Sequence, residues 1–350
     1  MYVIMEGLGK RWRPLAILFA LGGLFGPLPI FQSNQLTQIL RDVIYAPLGW
    51  GGGEGVMGGV AGSVAGGVAG SVAGGVAAGG DFFLVNLLTG LVFAALVSLV
   101  IFGGIKKIGR VAARMVPGMV LLYVGSVLVI LAVHITDIPA TFALIFTDAF
   151  TAQAALGGAV GEVIRIGIQR GAFSNEAGIG TAPLAHGAAK TKEPVREGLV
   201  AMLGPVIDTL LICTMTALAI LVTGVWQGTD DNGITMTLLA FTDVYGAAGS
   251  YVLALSVVIF AISSMLTYSY FGTKCLGFLI GAERQHYYNY FYVLMIIFGS
   301  VASIDAVINL IDGMFAVMAI PTILSAVLLS GKVRDVSKEY LDRVIRGNAV

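Results

Sequence analysis

The chain has 350 residues, of which 57% are hydrophobic and only 11% are charged, against about a quarter charged in ordinary soluble proteins. This composition excludes a cytosolic enzyme, a disordered chain and a disulfide-rich secreted protein, and it predicts an integral membrane protein. Basic and acidic residues number 20 each, so the formal charge is zero and no basic face is available to bind nucleic acid.

Seven hydrophobic runs are long enough to cross a bilayer, which takes about 20 apolar residues. They cover residues 14–32, 82–103, 116–134, 199–223, 251–271, 288–303 and 313–330. An eighth run, residues 158–189, is hydrophobic at both ends but is interrupted by GAFSNEAGIG at residues 171–180. The sequence therefore predicts an all-α integral membrane protein, a single transmembrane domain over residues 1–350 with about eight transmembrane helices, one of them broken.

The positions of Lys and Arg indicate whether the interrupted run crosses the membrane, because these residues collect on the cytoplasmic side. If the run crosses, all but three basic residues lie in cytoplasmic loops or at the cytoplasmic ends of the chain. The exceptions are Arg41, which lies in an external loop, and Arg165 and Arg170, which lie within the run itself. If it does not cross, the basic loops after it move outside. We therefore expect an inner-membrane protein with both ends in the cytoplasm and residues 331–350 as a cytoplasmic tail. The first ten residues lack the apolar core of a signal peptide.

A glycine-rich loop at residues 49–80 lies between the first two predicted spans, on the external side. The octapeptide GGVAGSVA occurs at residues 58–65 and 66–73 and begins a third time at residue 74. Such a repeat buries too little surface to order itself, which favours a flexible tract. The alternative is a glycine-zipper surface, since small residues allow helices to approach closely.

The polar interruption of the eighth run is the strongest functional signal. Unwound backbone in a bilayer persists only where it is buried in protein or lines a watery cavity, and transporters use such breaks to bind substrates and coupling ions. Glycine permits the unwound geometry. Phe173 offers an apolar lid, and Asn175 offers an amide that both donates and accepts hydrogen bonds to a small zwitterion.

The half of the run before the interruption carries Glu162, Arg165 and Gln169 on one helical face. This face either lines the external access path or belongs to an interfacial helix in which Glu162 and Arg165 merely pair.

Asp208 follows Gly204 and Pro205 within a predicted span. An ionisable side chain at such depth indicates an ion path, unless Thr209 and the carbonyls that Pro205 leaves free satisfy it structurally.

Phe260, Ser263 and Ser264 share one face of another span. They offer a carbonyl and two hydroxyls, the hard oxygen ligands that a monovalent cation needs. The alternative is that the hydroxyls bond back to the preceding turn.

The cysteines and histidines do not indicate a further site. Cys213 and Cys275 lie in apolar runs as small hydrophobic residues, and His134, His186 and His286 lie at span ends without the spacing of metal ligands. No HExxH, GxSxG or paired-Asp motif of a membrane enzyme occurs. We therefore expect no enzyme activity, no cofactor and no metal other than a coupling cation.

Residues 171–198, GAFSNEAGIGTAPLAHGAAKTKEPVREG, with LVAMLGPVIDTLLICTMTAL directly after them, resemble the alanine or glycine:cation symporter family of bacteria and archaea. MEGLGKRW at residues 5–12, GGIKKIGRVAARMVP at 103–117 and SYFGTKCLGFLIG at 269–281 fit the family in the same order. The resemblance covers nearly the whole chain apart from the glycine-rich loop. It implies a leucine-transporter-type fold of inverted repeats and symport of a small neutral amino acid with Na+, or with H+, by alternating access.

The resemblance also implies site residues. Substrate contacts would come from Phe173, Ser174, Asn175 and Glu176, with Gly171 and Gly178 permitting the unwound backbone and Gln32 facing the central cavity. Glu176 is alternatively a structural partner of Arg165 or Arg170, and Gln32 is alternatively a solvated residue at a span end. The sodium ligands would be Phe260, Ser263 and Ser264.

Family members carry further hydrophobic spans before the segment similar to MEGLGK, one of them broken and shared by both sites. The present sequence starts at Met1 without that block. The alternative function is therefore that of a shortened homologue that does not transport. A channel component is a weaker alternative, because a channel predicts repeated polar rings rather than one asymmetric break.

Overall fold

The structure, a computed structural model, describes residues 1–45, 47–48, 82–149, 159–227 and 233–345, and all regular structure within these residues is helical. The glycine-rich loop at residues 49–80 lies outside the described residues, as do residues 346–350 of the predicted tail. The α-helices are, in chain order, α1 (Tyr2–Gly7), α2 (Arg13–Phe25), α3 (Ile30–Leu40), α4 (Phe83–Ile101), α5 (Gly104–Val133), α6 (Ile138–Ala149), α7 (Ala159–Asn175), α8 (Thr181–His186), α9 (Pro194–Pro205), α10 (Thr214–Val222), α11 (Ile234–Tyr245), α12 (Ala247–Ile280), α13 (Tyr287–Val301) and α14 (Ile304–Ile345).

Within the described residues, six helical stretches are long and apolar enough to cross a membrane, and each overlaps one of the runs predicted from the sequence. They are Lys10–Tyr45, Phe83–Ile101, Gly104–Val133, Pro194–Val222, Ala247–Ile280 and Ala306–Val344. The predicted span at 288–303 corresponds to α13, which has only 15 residues. The interrupted run is divided between α7 and α8. The all-helical membrane architecture is thus confirmed, and the total of eight crossings stays a prediction.

Two features were not predicted from the sequence. The short apolar helices α6 and α11 each have 12 residues, too few to cross a bilayer. The segment predicted as a tail continues α14 without a break as far as Ile345.

The centre of the molecule is α12, which packs against α2, α3, α4, α5, α11 and α13. Small residues make these close approaches possible, because lipid provides no hydrophobic driving force and packing contacts must bind the helices together. A Cβ on Gly272 would overlap the Tyr288 ring, and a Cβ on Gly299 would overlap the backbone of Ile30. The Tyr288 hydroxyl donates to the Leu24 carbonyl at 2.8 Å, so this buried tyrosine also ties α13 to α2.

Contacts between helix ends and loops show which segments lie at the same end of the molecule. At one end, α1 contacts the last part of α12, where the ring centroids of Tyr2 and Phe278 are 5.4 Å apart. The same end of α1 contacts α14, since Lys332 Nζ donates to the Gly7 carbonyl at 2.8 Å. Arg343 of α14 in turn pairs with Glu193, in the segment before α9, at 3.0 Å. These segments are the ones that the basic residues assign to the cytoplasm. We call this end the basic end.

Arg41 lies at the opposite end of the molecule. Its guanidinium is 5.6 Å from the centroid of the Phe82 ring, at the start of α4, and the Tyr45 hydroxyl is 2.9 Å from Thr89 Oγ1. Arg41 thus lies away from the other basic segments, and the crossing of the interrupted run stays a prediction. Which end faces the cytoplasm stays a prediction.

Candidate functional site

The interrupted run is a broken helix, and the break lies at residues 176–180, between α7 and α8. Three residues in it have positive φ: Glu176 at 55°, Gly178 at 84° and Gly180 at 100°. Glu176 is the only non-glycine residue in the described part of the chain with this conformation. Such backbone is costly for a residue with a side chain, so other contacts must maintain it.

The break is shorter than predicted and begins later. Gly171, Phe173, Ser174 and Asn175 all lie within α7, so the prediction that Gly171 permits unwound backbone was wrong. Gly178 lies in the break with a φ of 84°, and its place in a substrate site stays a prediction. The α7 helix continues because one glycine in a helix interior costs only about 1 kcal/mol, which is less than leaving backbone groups unpaired.

Asn175 closes the end of α7 and joins it to the neighbouring helix. Its Oδ1 accepts a hydrogen bond from the Ala177 backbone N–H at 2.9 Å, and its Nδ2 donates to Thr209 Oγ1 at 3.0 Å. Both ends of the amide are therefore used in holding the edge of the break.

Asp208 lies opposite the end of α7 on a π-helical segment, Val206–Cys213, that connects α9 to α10. π-helical turns are rare and occur often at functional sites. Ser174 Oγ donates to Asp208 Oδ2 at 2.7 Å, and Thr209 Oγ1 donates to the same oxygen at 3.3 Å. Ser174 is exposed and Asp208 is half-buried, so a solute can reach these oxygens. We call Ser174, Asn175, Asp208 and Thr209 the Asp208 cluster.

Glu176 is bound by a residue that the sequence did not indicate. The Tyr268 hydroxyl, on α12, donates to Glu176 Oε1. The expected partners lie elsewhere: Arg170 is 3.5 Å from Asp312, and Arg165 Nη1 donates to Gln169 Oε1 at 3.1 Å. A link to the central helix α12 therefore holds Glu176 in its unusual backbone conformation.

The polar face predicted on α7 is directed at α14. Gln169 Nε2 donates to Asp312 Oδ2 at 2.7 Å, and Arg170 pairs with the same carboxylate. Arg165 extends the chain of contacts through Gln169, whereas the side chain of Glu162 lies outside the described residues. Asp312 was missed because it lies just before the predicted run 313–330, whereas Asp208 was indicated by its depth within a span.

Phe173 lies where α3, α7 and α14 meet, and Gln32 follows Phe31 on α3. The Phe173 ring is 5.6 Å from the Phe31 ring and 5.6 Å from the Phe315 ring, which gives an apolar wall beside the Asp208 cluster. The Gln32 Oε1 atom is buried and has no hydrogen-bond partner among the described residues. A buried acceptor without a donor costs about 1–3 kcal/mol, so this oxygen is suited to a bound donor.

The predicted sodium ligands on α12 bond to each other. Ser263 Oγ donates to the Phe260 carbonyl at 2.9 Å, which is the back-bonding alternative recognised in the sequence. The Phe260 ring is exposed, and Ser264 is half-buried. Within the described residues, no hydrogen bond joins these three residues to the Asp208 cluster.

Comparison of the sequence with known proteins identifies the family of this chain. The model of the sodium:alanine symporter family matches residues 1–349. An uncharacterized transporter of Haemophilus influenzae is 33% identical over 98% of this chain and 69% of its own length. The sodium/alanine symporter AgcS of Methanococcus maripaludis is 40% identical over 73% of this chain and 56% of its own length. The probable sodium/glutamine symporter GlnT of Bacillus subtilis is 35% identical over 74% of this chain and 54% of its own length. The chain thus spans between about half and about two thirds of these relatives. The chain belongs to the sodium:alanine symporter family.

Proposed function

We propose that the protein transports a small neutral amino acid, alanine or glycine, with sodium across the cytoplasmic membrane. The observation that carries this proposal is the break at residues 176–180, which lies directly beside the Asp208 cluster within a bundle of membrane-spanning helices. Unwound backbone and reachable carboxylate oxygens together form the kind of site that secondary transporters use. Membership in a family of symporters also supports a transport role rather than an enzymatic one.

The substrate would lie between the C-terminal end of α7 and the wall formed by Phe173. The last carbonyls of α7 carry the negative end of the helix dipole and attract the ammonium group of an amino acid. The unpaired Gln32 Oε1 offers a further acceptor. Phe173 limits the space for the substrate side chain, which favours a hydrogen atom or a methyl group. Ser174, Asn175, Glu176 and Gly178 remain the proposed residues around this site.

The coupling ion would bind at the Asp208 cluster. A carboxylate and the two hydroxyls of Ser174 and Thr209 are hard oxygen ligands, and the formal charge of Asp208 compensates that of a monovalent cation. The second candidate is the set Phe260, Ser263 and Ser264, whose use would require Ser263 to give up its bond to the Phe260 carbonyl. A proton is the alternative coupling ion.

Uptake of radiolabelled alanine into proteoliposomes tests the proposal. Vesicles containing the 350-residue chain are compared under an inward sodium gradient and an equal potassium gradient, with intact protein confirmed afterwards. We expect accumulation with sodium only. Downhill entry without accumulation would indicate a channel, and absence of uptake by folded protein would refute transport by this chain.

A pair of aspartate variants tests the ion site. Asp208→Asn keeps a similar shape but removes the charge, so the sodium concentration for half-maximal uptake should rise at least about tenfold, the effect of about 1.4 kcal/mol. Asp335→Asn is the control, because Asp335 is exposed on α14 and pairs only with the neighbouring Arg334. If both variants keep the wild-type sodium dependence, Asp208 does not bind the ion. Uptake that depends on pH rather than on sodium would assign the coupling to protons.

A further inference from the structure

A cavity of about 280 Å³ lies at the basic end, away from the break. It is bounded by the turn between α4 and α5, the last turns of α12 and the start of α13. Its volume is at the lower end of the range for small-molecule sites, so it is large enough for a lipid headgroup but too small for a whole lipid. We propose that this cavity binds the phosphate headgroup of an anionic phospholipid.

The charge around the cavity is positive. Lys274 lines it, with Nζ 5.2 Å from the centroid of the Tyr270 ring, and forms no ion pair with the described residues. Residues 99–114 contain no Asp or Glu, and residues 269–289 contain one acidic residue, Glu283, which is exposed. Arg284 is next to Glu283 in the same turn. An anion is therefore favoured, and a zwitterionic amino acid would find no carboxylate in the lining for its ammonium group.

Uncharged donors lie beside Lys274. The Thr273 hydroxyl shares its one proton between the Ser269 carbonyl at 2.7 Å and Asn289 Oδ1 at 3.1 Å, which leaves the Asn289 Nδ2 group as a donor. By contrast, Lys107 is already used, since its Nζ donates to the Leu99 carbonyl at 2.6 Å. Lys274 and Asn289 thus present a charged donor and a neutral donor from two helices, which suits a phosphate with several acceptor oxygens.

The opposite side of the cavity is apolar and continues onto the outer surface. Phe102 and Ile105 line the cavity and are 49% and 45% exposed, and Leu99, one turn away, is 69% exposed. In a membrane these side chains contact acyl chains. A ligand with a phosphate and long apolar chains satisfies both sides, whereas free phosphate would leave the apolar side without a partner. Basic pockets between helices at the cytoplasmic membrane surface bind anionic headgroups in the same way.

Native mass spectrometry in a non-ionic detergent tests the proposal, with phosphatidylglycerol and phosphatidylcholine of identical acyl chains as probes. We expect the wild-type chain to retain phosphatidylglycerol preferentially. Lys274→Gln should weaken this binding about fivefold, which is the effect of about one lysine near an anionic membrane surface. The matched control, Lys338→Gln, changes a lysine of the same end on an exposed part of α14 and should have no effect.

Three outcomes would overturn the proposal: equal retention of phosphatidylcholine, wild-type affinity in Lys274→Gln, or equal losses in Lys274→Gln and Lys338→Gln. Displacement of the lipid by glycerol phosphate at the same concentration would overturn the lipid assignment, since the acyl chains would then contribute nothing. Asn289→Ala is the second variant if Lys274→Gln does not fold, and it should lower phosphatidylglycerol binding without changing phosphatidylcholine binding.

Discussion

The geometry of the break predicts that glycine-to-alanine substitutions at nearby positions change the free energy of unfolding by very different amounts. Gly180 has a φ of 100°, and a Cβ there would overlap both the Phe19 ring and Thr322 Oγ1. Positive φ costs a residue with a side chain about 1–2 kcal/mol, and an overlap in a packed core costs about 1–3 kcal/mol more. Gly180→Ala should therefore lower the free energy of unfolding by about 2–5 kcal/mol.

Two neighbouring glycines separate these contributions. Gly178 has a φ of 84°, but the nearest atom to an added Cβ belongs to Ile323 at an ordinary contact distance of 3.8 Å. Gly178→Ala should therefore lower the free energy of unfolding only by the cost of positive φ, about 1–2 kcal/mol. Gly171 is helical and nothing lies within 4 Å of its added Cβ. Gly171→Ala should stabilise the protein by about 0.5–1 kcal/mol.

Thermal unfolding of the purified variants in one detergent, followed by intrinsic fluorescence, gives the order of their midpoints. We expect Gly171→Ala at or above the wild type, then Gly178→Ala, then Gly180→Ala. A loss of stability in Gly171→Ala equal to that in Gly178→Ala would refute the position of the break. A wild-type midpoint for Gly180→Ala would refute its close packing against α2 and α14.

Three other substitutions have defined outcomes. Asn175→Ala removes the hydrogen bond to Thr209 and the bond from the Ala177 N–H, so equilibrium binding of labelled alanine should be lost while membrane insertion is kept. Unchanged binding would remove Asn175 from the site. Tyr268→Phe removes the hydrogen-bond donor to Glu176 and should lower the free energy of unfolding by about 1–3 kcal/mol. An unchanged midpoint of thermal unfolding would mean that this bond does not maintain the conformation of the break. Gly299→Ala should cost about 1–3 kcal/mol or more, because its Cβ overlaps the α3 backbone; wild-type stability would contradict the close packing of α3 on α13.

The sequence predicted the membrane-spanning runs well because hydrophobic length is a direct requirement of the bilayer. It also predicted which loops lie at the same end, since the pattern of basic residues agrees with the contacts of Arg343 with Glu193 and of Lys332 with Gly7. The 12-residue helices α6 and α11 were missed because they are too short to meet the length criterion. Their existence depends on packing against longer helices, which no local pattern encodes.

The position of the break was predicted only in part. Glycine frequency drew attention to the whole of residues 171–180, but α7 continues through Gly171 and ends at Asn175. The unwound backbone begins at Glu176, a residue type that rarely takes positive φ. Its conformation depends on a hydrogen bond from Tyr268, which is 92 positions away in the chain. A contact of that range leaves no signal in the local sequence.

The two predicted ion-binding groups behaved differently for a physical reason. A serine hydroxyl in a membrane helix can donate to a carbonyl in the preceding turn, so Ser263 satisfies itself locally and needs no second helix. A carboxylate has no proton to donate to a carbonyl, and the backbone N–H groups of its helix are already used, so it depends on side-chain donors. Asp208 obtains one donor, Thr209, from its own segment and a closer one, Ser174, from α7. A carboxylate on a membrane helix is consequently a better guide to a site between helices than a pair of hydroxyls at helical spacing. Asp312, bound by Gln169 and Arg170 of α7, follows the same rule.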